Sequence, residues 1–234
     1  MASRDEVSAA REVAYRAARH ETGAALRTWL SHPRELAPWV AISALIAAIL
    51  LVATLIVGNA AHPDPSRGGQ LIAADPRTRF ADMTFVSGRN LTVLLLHLMV
   101  CLATYLARRS LPLQAQEMSG INRAVHHHAA GPALIVVAGL TLYSIGQQAY
   151  ILGHSLADAS AVLGMSPDAV LLRLLPHAVP ELIAVFLPLA AALWLQRVDR
   201  AHDLLAATVA CAVIGVPIVL ASAWIEVAVA SHYF

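Results

Sequence analysis

Long apolar runs, separated by short polar stretches, dominate this chain. Residues 38–63, 90–107, 131–157, 182–196 and 204–225 contain no Asp, Glu, Lys or Arg. None of these runs alternates with a period of two, as a half-buried strand would. A helix that crosses a bilayer needs about 20 mostly apolar residues, and the runs predict spans near 38–58, 90–107, 131–153, 176–195 and 204–230. The fold class expected is therefore all-α: a polytopic helical membrane protein with about five transmembrane helices. The first span begins too late and runs too long for a secretory signal core, so we expect it to be retained as an anchor.

The fourth span is the least regular, because Arg173, Glu181 and the prolines 176, 180 and 188 fall in or beside it. Ser166-Pro167-Asp168 reads as a helix N-cap followed by proline at the first helical position. This predicts a short outer helix ending at Leu175, a break at Pro176, and a membrane helix over 176–195. Those last 20 residues would span about 30 Å. Upstream of the spans, residues 1–37 read as a separate piece, with capping-box spacing at Ser3-x-x-Glu6 and a composition of Ala, Arg and Glu. A solvated helix, one lying on the inner lipid surface and one docking a cytoplasmic partner all fit this segment. Residues 38–234 then form the transmembrane domain. Between the first two spans, Phe80, Met83 and Val86 recur every three residues, as in a helix lying at the interface.

Composition agrees with the pattern. Hydrophobic residues make up 58% of the 234 and charged residues 13%, against about a quarter charged in ordinary globular chains; mean hydropathy is +0.64. Disorder, a disulfide scaffold and a basic nucleic-acid binder are excluded. Cys101 and Cys211 lie in apolar runs without metal-ligand spacing, so neither a metal nor another cofactor is expected. All 16 basic residues are arginines, and their distribution sets the orientation. With the N-terminus inside, eleven arginines fall on inner segments and five on outer ones. We therefore expect the N-terminus in the cytoplasm and the C-terminus outside.

Polar groups within apolar spans are costly and invite a functional explanation. At 1.5 Å per residue, His97 lies roughly 10 Å below Asn90, Glu181 roughly 7 Å below Pro176, Glu226 roughly 6 Å below Ala230, and Gln147 and Gln148 roughly 8 Å below Gly153. These residues, with His177 one turn above Glu181, are expected to form an intramembrane polar cluster in the outer leaflet. It could clamp the helices together, line a path for an ion, proton or lipid headgroup, or hold a metal or hydrolytic centre. No HExxH and no nucleophilic serine signature is present, so no catalytic residue is assigned. The consecutive His126, His127 and His128 point about 100° apart on a helix and suit a wet boundary, as do His62, His154, His202 and His232. Ala149-x-x-x-Gly153 and Ala207-x-x-x-Cys211-x-x-x-Gly215 are small-residue faces that allow close helix approach.

Leu175-Pro176-His177-Ala178-Val179-Pro180-Glu181-Leu182-Ile183-Ala184 resembles the Leu-Pro-His-Gly-x-x-Glu-Leu-Pro-Ala signature of the stage II sporulation protein M family. Arg89-Asn90-Leu91 is similar to that family's aromatic–Asn-Asn element before span two, and Trp224-Ile225-Glu226 to its C-terminal Ile-Glu-Ala element. Tyr143–Gly153 sits where the family usually carries an Asn-Gly pair; the chain departs from the pattern at Ala178, Pro180, Arg89 and, in place of that Asn, Leu152, while Pro176, His177, Glu181, Asn90 and Glu226 match. The resemblance implies a non-enzymatic anchor or scaffold of the bacterial cytoplasmic membrane. Its implied partners are membrane lipids and membrane or cytoplasmic proteins, among them ATPases or peptidoglycan-remodelling proteins, with homo-oligomers left open. It also implies a distant likeness to permease subunits, which keeps a small transporter or channel using Glu181, Glu226 and His177 as the alternative.

Overall fold

A computed structural model describes residues 4–64, 79–117 and 130–233. Among these, the chain is helical throughout: α1 (Arg4–Ser31), α2 (Ala37–Ala60), α3 (Arg79–Glu117), α4 (Ala130–Leu163), α5 (Pro167–Arg197) and α6 (Leu204–Tyr233). A 3-10 turn at Pro33–Leu36 joins α1 to α2, and another at Ala201–Asp203 leads into α6. Four segments, Pro33–Ala60, Met83–Leu106, Pro167–Arg197 and Ala201–Ala228, are long and apolar enough to cross a membrane. The predicted third span, 131–153, lies within α4.

The helices are packed small side inward. Along α2 the buried positions are Trp39, Ser43, Ala47, Leu50, Thr54 and Gly58, spaced three or four apart, whereas Leu45, Ile49, Val52 and Ile56 are exposed. A water-soluble bundle would bury the large aliphatics. Large aliphatics outside and small residues between helices are what a lipid environment favours. α5 is the central helix, packed against α2, α3 and α6, and residues 184–192 are buried on every side. α4 packs mainly on α2. There Gly153 permits the approach: a Cβ on it would lie 2.5 Å from the Val57 Cβ and 2.9 Å from the Thr54 carbonyl oxygen.

Two predicted boundaries are corrected. The short outer helix before the fourth span is not separate, since α5 runs unbroken from Pro167 to Arg197 through Pro176, Pro180 and Pro188. Each proline removes one backbone bond only, to the carbonyl four residues earlier, and neighbouring helices supply substitutes. One turn before Pro188, the Ser43 hydroxyl donates to the Ile183 carbonyl (2.5 Å), a bond that ties α5 to α2 without replacing the one lost at the proline. Likewise, Phe80, Met83 and Val86 do not form an interfacial helix of their own. They are the first turns of α3, whose buried stripe Ser87, Asn90, Leu94, Leu98, Cys101 and Tyr105 continues without interruption.

The connections are tight where they are described. Gly164 at φ 62° ends α4 in the left-handed conformation, and the Met165 N–H returns to the Ser160 carbonyl (3.0 Å), a Schellman closure. At the other end of the bundle, Asp199 takes φ 56° and the Arg200 N–H returns to the Leu195 carbonyl. Residues 1–37 were expected to form a separate piece, yet the last turns of α1 pack into the bundle. Ala25 and Trp29 are buried in one cluster with Trp39, Tyr105, Leu195 and Leu204, and the Trp29 and Trp39 rings meet edge to face at 4.9 Å.

Candidate functional site

Three helices bring polar side chains together near the start of α3. Asn90 is buried on the inner stripe of α3. Its carboxamide and the charges of Arg89 and of Glu226 on α6 all act on the Glu181 carboxylate of α5. Arg89 acts on Glu226 as well, and its Nε donates to the Asn90 Oδ1 at 3.4 Å. With the Asn90 oxygen accepting from Arg89, its NH2 group is left to donate to Glu181. The result is a relay from arginine through amide to carboxylate, with a second carboxylate beside it. Two acids share one arginine, so the group carries a formal charge of about −1 when all three are ionised.

The other predicted members lie elsewhere. His97 is deeper, its Nδ1 donating to the Val93 carbonyl (3.0 Å) and its ring edge-to-face with Phe186 at 5.4 Å. His177 is buried one turn above Glu181, and its Nδ1 has no hydrogen-bond partner; among the described residues the Thr54 Oγ1 shares that condition. Gln147 is exposed on α4 and donates to the Tyr143 hydroxyl (3.1 Å), while Gln148 is half-buried. Among the described residues α4 packs mainly on α2 and to a lesser extent on α5, with Gln147 on its exposed side. Pro176 is exposed within α5. His126, His127 and His128 lie outside the described residues. Arg89 and Asn90 are cluster members that the depth count missed, because Asn90 served there as the upper limit of the span. Their signal was a polar pair immediately before an apolar run.

A second polar group ties the opposite end of the bundle. Arg200 donates to Asp203 (2.8 Å) and to Glu35 (3.2 Å). Partial burial works against its charge, but these bonds and the two acids hold its pKa above the ordinary arginine value. The clamp joins the turn before α2 to the turn before α6. Open grooves are lined by described residues at both ends of the bundle. One, of about 440 Å³, lies between the ends of α2 and α4 beside His62, Tyr150 and His154. The other, of about 280 Å³, lies beside Glu21, Tyr105, Arg108 and His202. Among the described residues no three His, Cys, Asp or Glu side chains are grouped to hold a metal ion. No protein-family model, curated protein or solved structure matches this chain.

Proposed function

We propose that this chain is a non-enzymatic, multi-pass membrane subunit that anchors a protein complex, with α1 as its cytoplasmic docking element. The observation carrying this reading is the way α1 is held. Trp29 and Ala25 are set into the bundle core beside Trp39 and Leu204, and the Arg200–Glu35 pair fixes the adjoining turn. Residues such as Arg16, Arg19, His20 and Arg27 stay exposed on the same helix. A helix seated so firmly on one face and charged on another suits the transmission of a partner's position to the membrane. The resemblance to the stage II sporulation protein M family points the same way, toward cytoplasmic ATPases or peptidoglycan-remodelling proteins as partners in a bacterial cytoplasmic membrane.

Five spans belong to this reading, with the N-terminus inside. The register of α4 supports the fifth: Ile145 and Ala149 pack around Ala47 and Leu50, and Gly153 meets Val57, so α4 rises alongside α2. To test the scaffold, the chain is purified from native membranes with and without residues 1–20, a cut that spares Trp29. A stoichiometric partner present with the full chain and absent after the cut is expected. A full chain that is always recovered alone, at the mass of the single subunit, refutes the scaffold.

A permease-like subunit or small transporter is the second reading, favoured by one observation: Glu181 and Glu226 share a single arginine. Under it, Glu181→Gln and Glu226→Gln abolish flux in liposomes while the protein stays folded. Under the scaffold reading they alter thermal stability, and wild-type liposomes conduct nothing.

A further inference from the structure

Where α3 and α5 begin and α6 ends, the seam between these helices is polar, and one contact sets its register. A Cβ on Gly215 of α6 would lie 3.2 Å from Leu94 Cδ2 of α3 and 3.5 Å from the Ala184 carbonyl oxygen of α5, so the three residues share a level. Seven residues further toward that end of the bundle, two turns along and about 20° around each helix, stand Ser87, His177 and Ser222. All three are buried. Seven steps from one shared contact therefore bring two hydroxyls and an imidazole to a second shared level. Glu181 and Glu226 lie one turn to either side of it, on the faces of His177 and Ser222. Side chains lean toward the N-terminus of their own helix, and α5 and α6 run in opposite directions. Each glutamate thus leans toward the layer, and the charge of Glu226 acts on Glu181.

This layer holds more acceptors than donors. Among the described residues, Arg89 is the opposite charge that acts on both carboxylates, which leaves a formal charge of about −1. Arg89 also gives its Nε hydrogen to Asn90. The Nδ1 of His177, a residue 5% exposed, has no hydrogen-bond partner, and a buried polar atom of that kind normally has one. A group that completed the layer would carry positive charge and several N–H donors. An ammonium has both, with three donors on one compact centre. The chain contains no lysine, so none of its own side chains supplies one. A hard metal cation prefers oxygen and would leave the imidazole unused. A quaternary ammonium has no N–H to give to Nδ1.

We propose that the layer of Ser87, His177, Glu181, Ser222 and Glu226 binds a primary ammonium group, its N–H bonds directed to the two carboxylates and to His177 Nδ1. The proposal rests on the reading of the chain as membrane-spanning, and it names a ligand class for the site that the transport reading uses. Glu226 lies two residues before the end of the apolar segment Ala201–Ala228, near the level of lipid headgroups. Both glutamates are half-buried, so the layer can be reached from the surface of the bundle. An aminophospholipid headgroup and a free amine present the same chemistry there.

Native mass spectrometry of the full chain, titrated in detergent with defined lipids, tests this. Wild type is expected to retain phosphatidylethanolamine in preference to phosphatidylcholine, which differs in the three methyl groups on nitrogen, and to phosphatidylglycerol. Glu181→Gln and Glu226→Gln should each weaken that retention at least about tenfold. Asp168→Asn, an exposed acid at the start of α5, should leave it unchanged. Thermal unfolding with ethanolamine separates the sources: a stabilisation lost in both glutamine variants assigns the site to a free amine, and lipid retention without it assigns the site to the headgroup. Circular dichroism checks the fold of each variant, and the headgroup comparison on wild type needs no variant. Equal retention of phosphatidylethanolamine and phosphatidylcholine with no effect of ethanolamine overturns the site. So does binding that neither glutamine lowers. Liposome flux distinguishes this proposal from the transport reading. Flux without ammonium binding removes the ammonium site and leaves transport standing, whereas binding without flux keeps the site and removes transport.

Discussion

Asn90 shows how much one amide can carry in an apolar bundle. It takes a hydrogen bond from Arg89 and acts on the Glu181 carboxylate, so the meeting of α3 and α5 depends on a side chain of middling polarity. Asn90→Ala keeps the helix but leaves a carboxylate short of a donor. An unsatisfied buried partner costs about 1–3 kcal/mol, and thermal unfolding in detergent should register a loss of that order. Asn90→Asp should cost more, because it sets a third acid beside Glu181 and Glu226. If Asn90→Ala melts like wild type, the relay does not hold the helices. Glu181 was legible in the sequence because a charge inside an apolar run stands out. Asn90 did not stand out by contrast, because at a span boundary an amide resembles its polar surroundings; the motif likeness named it, and its register on the α3 stripe places it among the cluster.

Among the helices, position in the bundle decides what the same residue type does. Gly153 and Gly146 lie seven residues apart on α4. A Cβ on Gly153 would collide with Val57 and the Thr54 backbone, whereas one on Gly146 meets nothing within this chain. Gly153→Ala should therefore destabilise by about 1–3 kcal/mol, the usual range for overpacking, while Gly146→Ala leaves the melting temperature of the monomer unchanged. The sequence marked Gly153 as part of a small-residue face and did not single out Gly146; which glycine is filled depends on which helix lies opposite. α5 teaches the same about prolines. Local rules place a break at Pro176, but packing on three sides keeps the helix whole. At α1, Trp29→Ala removes a ring that is 3% exposed. Large aromatic deletions cost about 3–5 kcal/mol, more than the surface contacts of α1 can offset. We expect α1 to undock while the rest of the bundle stays folded. Limited proteolysis should then cut within residues 4–31 of the variant and spare wild type.

At the scale of the whole molecule, the packing constrains the path of the chain through a membrane. Trp39, at the start of α2, shares a cluster with Leu195 and Leu204, so α2 and α5 run in opposite directions and α6 begins where α2 begins. The Cys101 thiol donates to the Leu204 carbonyl (3.6 Å), which places the end of the apolar part of α3 at that same end of the bundle. α3 thus hands the chain on at that end, whereas α5 starts at the opposite one. Among the described residues only α4 lies between them, and its 34 residues reach about 51 Å at 1.5 Å each, more than a bilayer core of about 30 Å requires. The expected pattern follows from this geometry. His20→Cys and Arg197→Cys should react with an impermeant maleimide from one side of sealed vesicles, and His62→Cys and a C-terminal tag should be reached from the other. Reaction of His62→Cys and Arg197→Cys from the same side would contradict the antiparallel pairing of α2 and α5 across a bilayer. A C-terminal tag on the side of His20 would reduce the spans to an even number and leave the arginine distribution of the sequence without a consequence.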